Sequence, residues 1–206
     1  GLLVFALWIA EIPLTAFALA GGALAIGVGF GSQNVLNNFI SGLILLFERP
    51  IQVGDCVEIN GMWAEVKKIN VRSTIVQTFD NATVIIPNAD FISQQVINWS
   101  FKDPRMRRHV DVGVAYGSDI ELVRETLLDI AVSTPDILKY PRPDVVFLDY
   151  GDSALVFRLR FWTYLDNYFS TTTAVRFELD RRFRELNIEI AFPQRDIHIR
   201  SNVTTQ

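Results

Sequence analysis

The side chains that could carry acid–base or metal chemistry are few and scattered along the chain. Asp144, Asp149 and Asp152 cluster around one predicted hairpin, and two carboxylates can act together as a general acid and a general base. Aspartate is also a common turn residue because its side chain bonds to nearby backbone, and we favour that interpretation. His109 and His198 lack the cysteine or carboxylate spacing of a metal site. We therefore expect no enzyme, no metal and no cofactor.

A glycine-rich stretch, Gly21–Gly31, is the second candidate, but it lacks the Lys and Ser/Thr of a phosphate-binding loop. It lies within an apolar run from Ile12 to Phe47 that contains no Asp, Glu, Lys or Arg. A helix needs only about 20 such residues to cross a bilayer. A lone strand would leave its backbone groups unpaired in lipid, so the run predicts a transmembrane helix.

The side chains of this helix alternate between large and small around its circumference. At about 100° per residue, Ile26 and Phe30 form one ridge, and Leu24 and Val28 form another on roughly the opposite side. Small residues occupy both flanks between the ridges: Ala23, Gly27 and Gly31 on one side, and Gly22, Ala25 and Gly29 on the other.

Two small flanks allow the helix to pack closely against a neighbour on each side. If both neighbours are copies of the same helix, the head-to-tail contacts close into a ring with one ridge facing the axis. The pattern therefore favours a pore-lining helix. An ordinary membrane helix whose glycines serve for pairing is the alternative.

The predicted pore helix covers residues 12–48. Pro13 suits the first turn of a helix, and residues 1–11 are interpreted as the end of a preceding transmembrane helix or loop. Polar residues enter after Gly31, which predicts a bend near residues 31–34. Beyond the bend, one helical stripe is polar and consists of Asn34, Asn37, Asn38 and Ser41.

Charge and cysteine content restrict the partners and the compartment. Residues 1–47 hold a single charged residue, and the whole chain has a formal net charge of −4, which argues against a nucleic-acid partner. The single cysteine, Cys56, excludes an intrachain disulfide and favours a reducing compartment. Basic residues follow the membrane segment closely and place that side in the cytoplasm; they are Arg49, Lys67, Lys68 and Arg72.

Two further domains are predicted after the helix. Residues 49–105 consist of short strands joined by tight turns, with a hairpin signal at Asn60-Gly61, which indicates a small SH3-like or Sm-like barrel. Residues 106–193 have the order βαββαβ, typical of a ferredoxin-like α+β sandwich. Ser118 or Asp119 could cap its first helix, which runs to about Ser133, and a last strand covers Ile188–Ala191. The alternating residues in 194–206 predict one more strand and a tail.

Four motifs occur in order: GGALAIGVGFGSQNVLNNFISGLILLFERPIQVGD, VIIPNADF, INWS and FPQRDIHI. From about residue 13 to residue 200 the chain resembles the small-conductance mechanosensitive channel family, most closely its larger multi-helix members. The resemblance implies a homoheptamer in the inner membrane, with its C-terminal part in the cytoplasm. It also implies a channel that membrane tension opens to release ions and small osmolytes.

The resemblance also assigns roles to residues. It places two sealing rings of the pore on Ile26 and Phe30. Residues that correspond to the helix-packing positions are small, namely Gly22, Ala23, Ala25, Gly27 and Gly29. The kink glycines of the family fall on Asn34 and Gly42; since Asn34 departs from glycine, Gly31 is a second candidate for the bend. The alternative function is a membrane-anchored module that binds a regulatory ligand, or a channel that such a ligand modulates.

Overall fold

The computed structural model describes residues 14–195. The predictions for residues 1–11, for His198 and for the strand within 194–206 lie outside the described residues. Packing divides the chain into two compact units that meet between Phe101 and Lys102, four residues before the domain boundary predicted from the sequence.

The first unit begins with one long helix, α1, over Leu14–Glu48. The helix is continuous through residues 31–34, so the predicted bend does not interrupt it and stays a prediction. Two side chains bond to helix carbonyls near this segment, Ser32 Oγ to Val28 O at 2.8 Å and Asn38 Nδ2 to Asn34 O at 2.9 Å. Such bonds often accompany helix bending.

A five-stranded antiparallel sheet follows α1, with the order β4-β3-β2-β1-β5. Its strands are β1 Cys56–Ile59, β2 Met62–Ile69, β3 Ser73–Thr78, β4 Thr83–Pro87 and β5 Val96–Asn98. The hairpin predicted at Asn60-Gly61 is confirmed, because both residues have positive φ, 52° and 74°, and Ile59 pairs with Met62. Turns with two positive φ values match the twist of the flanking strands.

A short helix, α2, over Asn88–Ser93 connects β4 to β5. From the sequence, Pro87-Asn88 indicated only the end of the strand that is now β4, and no helix was predicted there. The core of this unit mixes sheet, α2 and α1: Phe91 of α2 and Leu45 of α1 are buried with Val57, Val66 and Val76 of the strands. The C-terminal end of α1 therefore belongs to the folded core of the β domain.

The second unit is a three-stranded antiparallel sheet with helices packed against it. The strands are β6 Arg105–Val114, β7 Asp144–Tyr150 and β8 Leu155–Tyr164, in the order β6-β8-β7. Helix α3 covers Ile120–Ser133, and a 3-10 turn over Leu165–Asn167 leads into α4, Tyr168–Glu185. The predicted cap of α3 is confirmed: Asp119 Oδ1 accepts from Glu121 N at 3.0 Å and from Leu122 N at 3.1 Å.

The last predicted strand of this unit is reduced to a bridge. Instead of a strand over Ile188–Ala191, the structure has one isolated antiparallel bridge between Val114 and Ile190. Two backbone bonds flank it, from Ala115 N to Glu189 O at 3.0 Å and from Ala191 N to Gly113 O at 3.0 Å. The segment therefore lies beside β6, but too few residues pair there to form a strand.

One face of this sheet is buried against the two helices, and the other is open. The buried face contributes Val110, Leu159 and Phe161, which pack with Leu127 of α3 and Val175 of α4. The opposite face alternates with it and is polar, as expected for an antiparallel sheet covered on one side.

Two cross-strand ion pairs lie on the open face. Arg158 Nε donates to Asp111 Oδ1 at 2.6 Å, and Arg160 pairs with Asp144. The hydrogen bonds from each arginine lower the pKa of the aspartate that it contacts. Since the pKa falls on folding, each pair stabilises the fold above the ordinary Asp pKa, and that stabilisation is lost as pH falls through the lowered value.

We expect Asp111→Asn to lower the thermal unfolding temperature of the chain in detergent at pH 7 by a small amount, since the pair is partly exposed and screened. The difference from wild type should shrink below pH 4, near the ordinary Asp pKa of about 3.9, and vanish at still lower pH. Circular dichroism melts between pH 7 and pH 3 measure it. Asp129→Asn, at an exposed aspartate of α3 that has no ion pair within residues 14–195, is the control. A difference independent of pH would contradict the prediction.

Candidate functional site: the apolar helix and its junction with the β domain

Nothing in residues 14–195 covers the N-terminal part of α1. The relative exposure of the two predicted sealing residues is 62% for Ile26 and 74% for Phe30, and the opposite ridge is equally open, with Leu24 at 70% and Val28 at 62%. Within residues 14–195, this helix alone is long and apolar enough to span a membrane, over Thr15–Glu48. Large apolar surfaces on a folded chain mark contacts with lipid or with other proteins.

The small residues of this part also have room around them. A Cβ added at Gly22, Gly27 or Gly29 would meet no atom of the described residues within 4 Å. Packing roles for these glycines, and for Ala23 and Ala25, therefore require neighbours outside residues 14–195 and stay predictions. The same holds for the choice of ridge that faces an axis.

The C-terminal part of α1 is in contact with the β domain. Ser41 and Leu45 are almost fully buried, at 4% and 1% exposure. A Cβ at Gly42 would lie 2.6 Å from Asn88 Nδ2 and closer still to Val71 O, which no real Cβ tolerates. The sequence interpretation listed Gly42 as a bend position. The structure supplies another reason for glycine there, because the helix backbone approaches the backbone before β3 too closely for any side chain.

Asn88 is the polar centre of this contact. Its side chain and that of Thr74 are both fully buried. Asn88 Nδ2 donates to Asn70 O at 2.9 Å and to Val71 O at 3.1 Å, and Asn88 Oδ1 accepts from Thr74 Oγ1 at 2.9 Å. A buried amide without partners would be costly. Here it fixes the loop between β2 and β3 against the start of α2.

Asn38 links α1 directly to α2. The first N–H groups of a helix have no partner within that helix, and Pro87 supplies no side-chain cap to α2. Asn38 Oδ1 accepts from Ala89 N at 3.0 Å, so a side chain of the long helix caps the short one. The polar stripe predicted after the bend thus includes a residue that connects the apolar helix to the β domain.

The sequence interpretation found Asn38 but missed Thr74 and Asn88. The only local signal for Asn88 was an amide directly after Pro87, at the end of an apolar strand, where helix caps and turns are common. For Thr74 no local signal exists, since threonine is frequent in strands.

The candidate catalytic residues are not assembled into a site. Asp144 is paired with Arg160, which lowers its pKa and favours the charged form. Asp149 lies within β7, where its Oδ1 accepts from Tyr150 N at 2.8 Å, so the interpretation of Asp144 and Asp149 as turn residues is wrong. His109 lies exposed on β6 near Asp111. Among residues 14–195, no group of three or more His, Cys, Asp or Glu could hold a metal.

The arrangement defines a class of protein: a helix of membrane-spanning length whose C-terminal end is built into a β domain, followed by an α/β domain. Two family models match the chain in the same order. Residues 34–101 match "Mechanosensitive ion channel, beta-domain", and residues 109–190 match "Mechanosensitive ion channel MscS, C-terminal". Together they match well over half of the chain, which belongs to the MscS family of mechanosensitive ion channels.

Curated proteins that are similar to this chain are named as MscS family proteins or mechanosensitive channels. An uncharacterized MscS family protein of Haemophilus influenzae is 45% identical over 183 residues, which cover 88% of this chain. Mechanosensitive channel MscK of Escherichia coli is 42% identical over 178 residues, which cover 86% of this chain. The matched part is 16% of the length of each of these relatives, so this chain spans about one sixth of them.

A solved structure shares the fold over nearly the whole chain. It is the crystal structure of Helicobacter pylori MscS in a closed state, which superimposes with a TM-score of 0.89 at 28% sequence identity. The match covers 97% of this chain and 79% of that one. The long helix and the two following domains are therefore arranged along the chain as in that protein.

We predict that Gly42→Ala destabilises the first unit by about 1–3 kcal/mol, because the new methyl overpacks a filled site. Thermal unfolding of the purified full-length chain in detergent measures this. Gly21→Ala is the matched control, since a Cβ there meets nothing within 4 Å and alanine favours a helix. Equal stability of Gly42→Ala and the control would show that the helix does not approach Val71 so closely.

We also predict that Asn88→Asp destabilises the chain at pH 7 by about 2–4 kcal/mol. The carboxylate keeps the shape of the amide but cannot donate to the carbonyls of Asn70 and Val71, and it places a charge in a buried site. Asn187→Asp makes the same chemical change at an exposed position and should alter stability little. Chemical unfolding followed by tryptophan fluorescence compares them; similar losses in both variants would contradict the role of Asn88.

Proposed function

We propose that this chain is the pore and cytoplasmic part of an ion channel that membrane tension opens. The observation that carries the proposal is the division of α1 into two parts. Its N-terminal part is apolar, rich in glycine and not covered by any of residues 14–195. Its C-terminal part is fixed to the β domain through Asn38, Gly42 and Leu45. Membership of the family and the similarity to named mechanosensitive channels support it.

The proposed gate is a hydrophobic constriction made by rings of Ile26 and Phe30. Water leaves a narrow apolar neck, and an ion that entered it would lose hydration with no polar group to replace it. No ionisable residue occurs between Ile12 and Phe47, so the neck itself offers no charge to select ions. Ions and small osmolytes released on hypo-osmotic shock are the proposed permeants.

Opening requires that the helices of the ring tilt and slide past one another. Flanks made of Gly22, Ala23, Ala25, Gly27 and Gly29 permit sliding because few side chains must unlock. Tension favours whichever state occupies the larger area in the membrane. The uninterrupted helix joins this movement to the β domain at Asn38 and Gly42, and a bend at Gly31 or Asn34 would let the two parts reorient separately.

The assembly and surroundings follow from the same proposal. We propose a homoheptamer in the inner membrane, with the domains after α1 in the cytoplasm. The strand order β4-β3-β2-β1-β5 supports an Sm-like β domain, and β6-β8-β7 with the Val114–Ile190 bridge beside β6 supports a ferredoxin-like one. Membrane lipids are further partners, and an open groove of about 710 Å³ lined by Phe39, Leu46 and Val71 offers them an apolar surface.

The test is single-channel recording of the full-length protein in liposomes under graded suction. Wild type should give stepwise currents above a threshold pressure. Phe30→Ser should raise the open probability at fixed suction at least severalfold, or produce a leak current without suction, because a hydroxyl favours water in the neck.

Val28→Ser is the matched control, since Val28 lies on the opposite ridge at similar exposure and should change gating less. Equal effects of the two variants on gating would contradict the proposal that Phe30 forms the gate. Silence of demonstrably oligomeric wild type at every suction up to rupture would overturn the tension-gated channel and favour the ligand-binding regulatory module.

A further inference from the structure

The second unit contains an open cavity that the channel proposal does not use. It has a volume of about 720 Å³ and lies between the C-terminal end of α3 and the loop that leads to β7. Apolar side chains form most of its wall, including Leu128, Val132 and Ile137, and two cations, Lys139 and Arg142, also line it. One carboxylate, Asp136, also lines it.

Hydrogen bonds hold the loop that forms this wall to the end of α3 and to β8. Thr134 N and Oγ1 both donate to Ile130 O, at 2.9 Å and 2.7 Å. Leu138 N donates to Trp162 O at 2.8 Å, and Thr163 Oγ1 donates to Asp136 O at 2.9 Å. Ligand sites are usually preformed concave surfaces of about 300–1,000 Å³ with few polar groups, and this cavity has those properties.

A cluster of arginines adjoins the cavity through Arg142. A smaller recess of about 170 Å³ is lined by Arg107, Arg142, Asp144, Arg160 and Trp162. Arg160 is paired with Asp144. Within residues 14–195, neither Arg107 nor Arg142 has a carboxylate at ion-pair distance, although Arg107 is close enough to help lower the pKa of Asp144.

The two lining sets together carry an excess of positive charge. Arg107, Lys139, Arg142 and Arg160 face only Asp136 and Asp144. Guanidinium groups bind carboxylates and phosphates through paired, charge-assisted hydrogen bonds. The apolar wall next to them suits the carbon body of the same ligand.

We propose that this site binds a small organic anion, with its carboxylate or phosphate at Lys139 and Arg142 and its apolar body in the cavity beside Leu128 and Val132. The occupant is thus an amphiphilic small molecule with one acidic group. Binding needs only the second unit and does not depend on whether the chain conducts ions.

The experiment is a ¹⁹F NMR titration of the purified full-length protein in lipid nanodiscs with 4-(trifluoromethyl)benzoate as the probe. Saturable broadening of the probe signal, absent with empty nanodiscs, is expected at constant ionic strength. The neutral analogue 4-(trifluoromethyl)benzamide has the same apolar body without the charge and should bind at least about tenfold more weakly.

Variants locate the site. Arg142→Gln and Lys139→Gln should each weaken binding of the benzoate about tenfold, and Val132→Glu should weaken it by placing a carboxylate on the apolar wall. Arg176→Gln removes an exposed arginine of α4 that lines neither cavity and should leave binding unchanged. Circular dichroism verifies that each variant is folded.

Several outcomes would overturn the proposal. They are the absence of saturable binding, equal binding of benzoate and benzamide, and equal weakening by Arg176→Gln and by the two site variants. If Arg142→Gln does not fold, Lys139→Gln and Val132→Glu decide the result together.

Discussion

The structure of the first unit depends on the close approach of the α1 backbone to the β domain at Gly42. No side chain fits between the helix and Val71 O, so the two backbones lie in direct contact. Peptide groups in such a place need partners, and the buried amide of Asn88 supplies them by donating to the carbonyls of Asn70 and Val71. The contact is therefore both tightly packed and polar, which makes it specific for one position of the helix.

The remaining length of α1 contrasts with this contact in every respect. It is apolar and exposed, and its glycines touch no other part of residues 14–195. Within these residues, one end of the helix has a fixed partner and the other end has none. In the proposed channel, this difference lets the membrane part respond to tension while the β domain holds the end of each helix in a defined orientation.

The second unit has its own division between structure and binding. One face of its sheet is covered by α3 and α4, and the opposite face presents ion pairs that cross between strands. Arg142, which has no ion pair within residues 14–195, lines the cavity at the end of α3 together with Lys139. Paired arginines thus connect the strands of the sheet, and the proposed site uses cations outside those pairs.

The sequence by itself determined the elements whose cause is local. A long uncharged apolar run predicts α1, Asn60-Gly61 predicts the hairpin between β1 and β2, and Asp119 predicts the start of α3. Each of these depends on residues a few positions apart, and the structure confirms all three. The resemblance of four ordered motifs to one family was also readable from the sequence.

Tertiary structure alone decided the junction. Thr74 bonds to Asn88 across 14 positions, and Asn38 bonds to Ala89 across 51, so no local pattern reports either contact. The reason for glycine at position 42 likewise lies in the backbone at Val71, and α2 forms where the sequence indicated only a stop. The strand predicted over Ile188–Ala191 became a single bridge, because alternation reports a tendency to pair and only the folded sheet determines how many residues find partners.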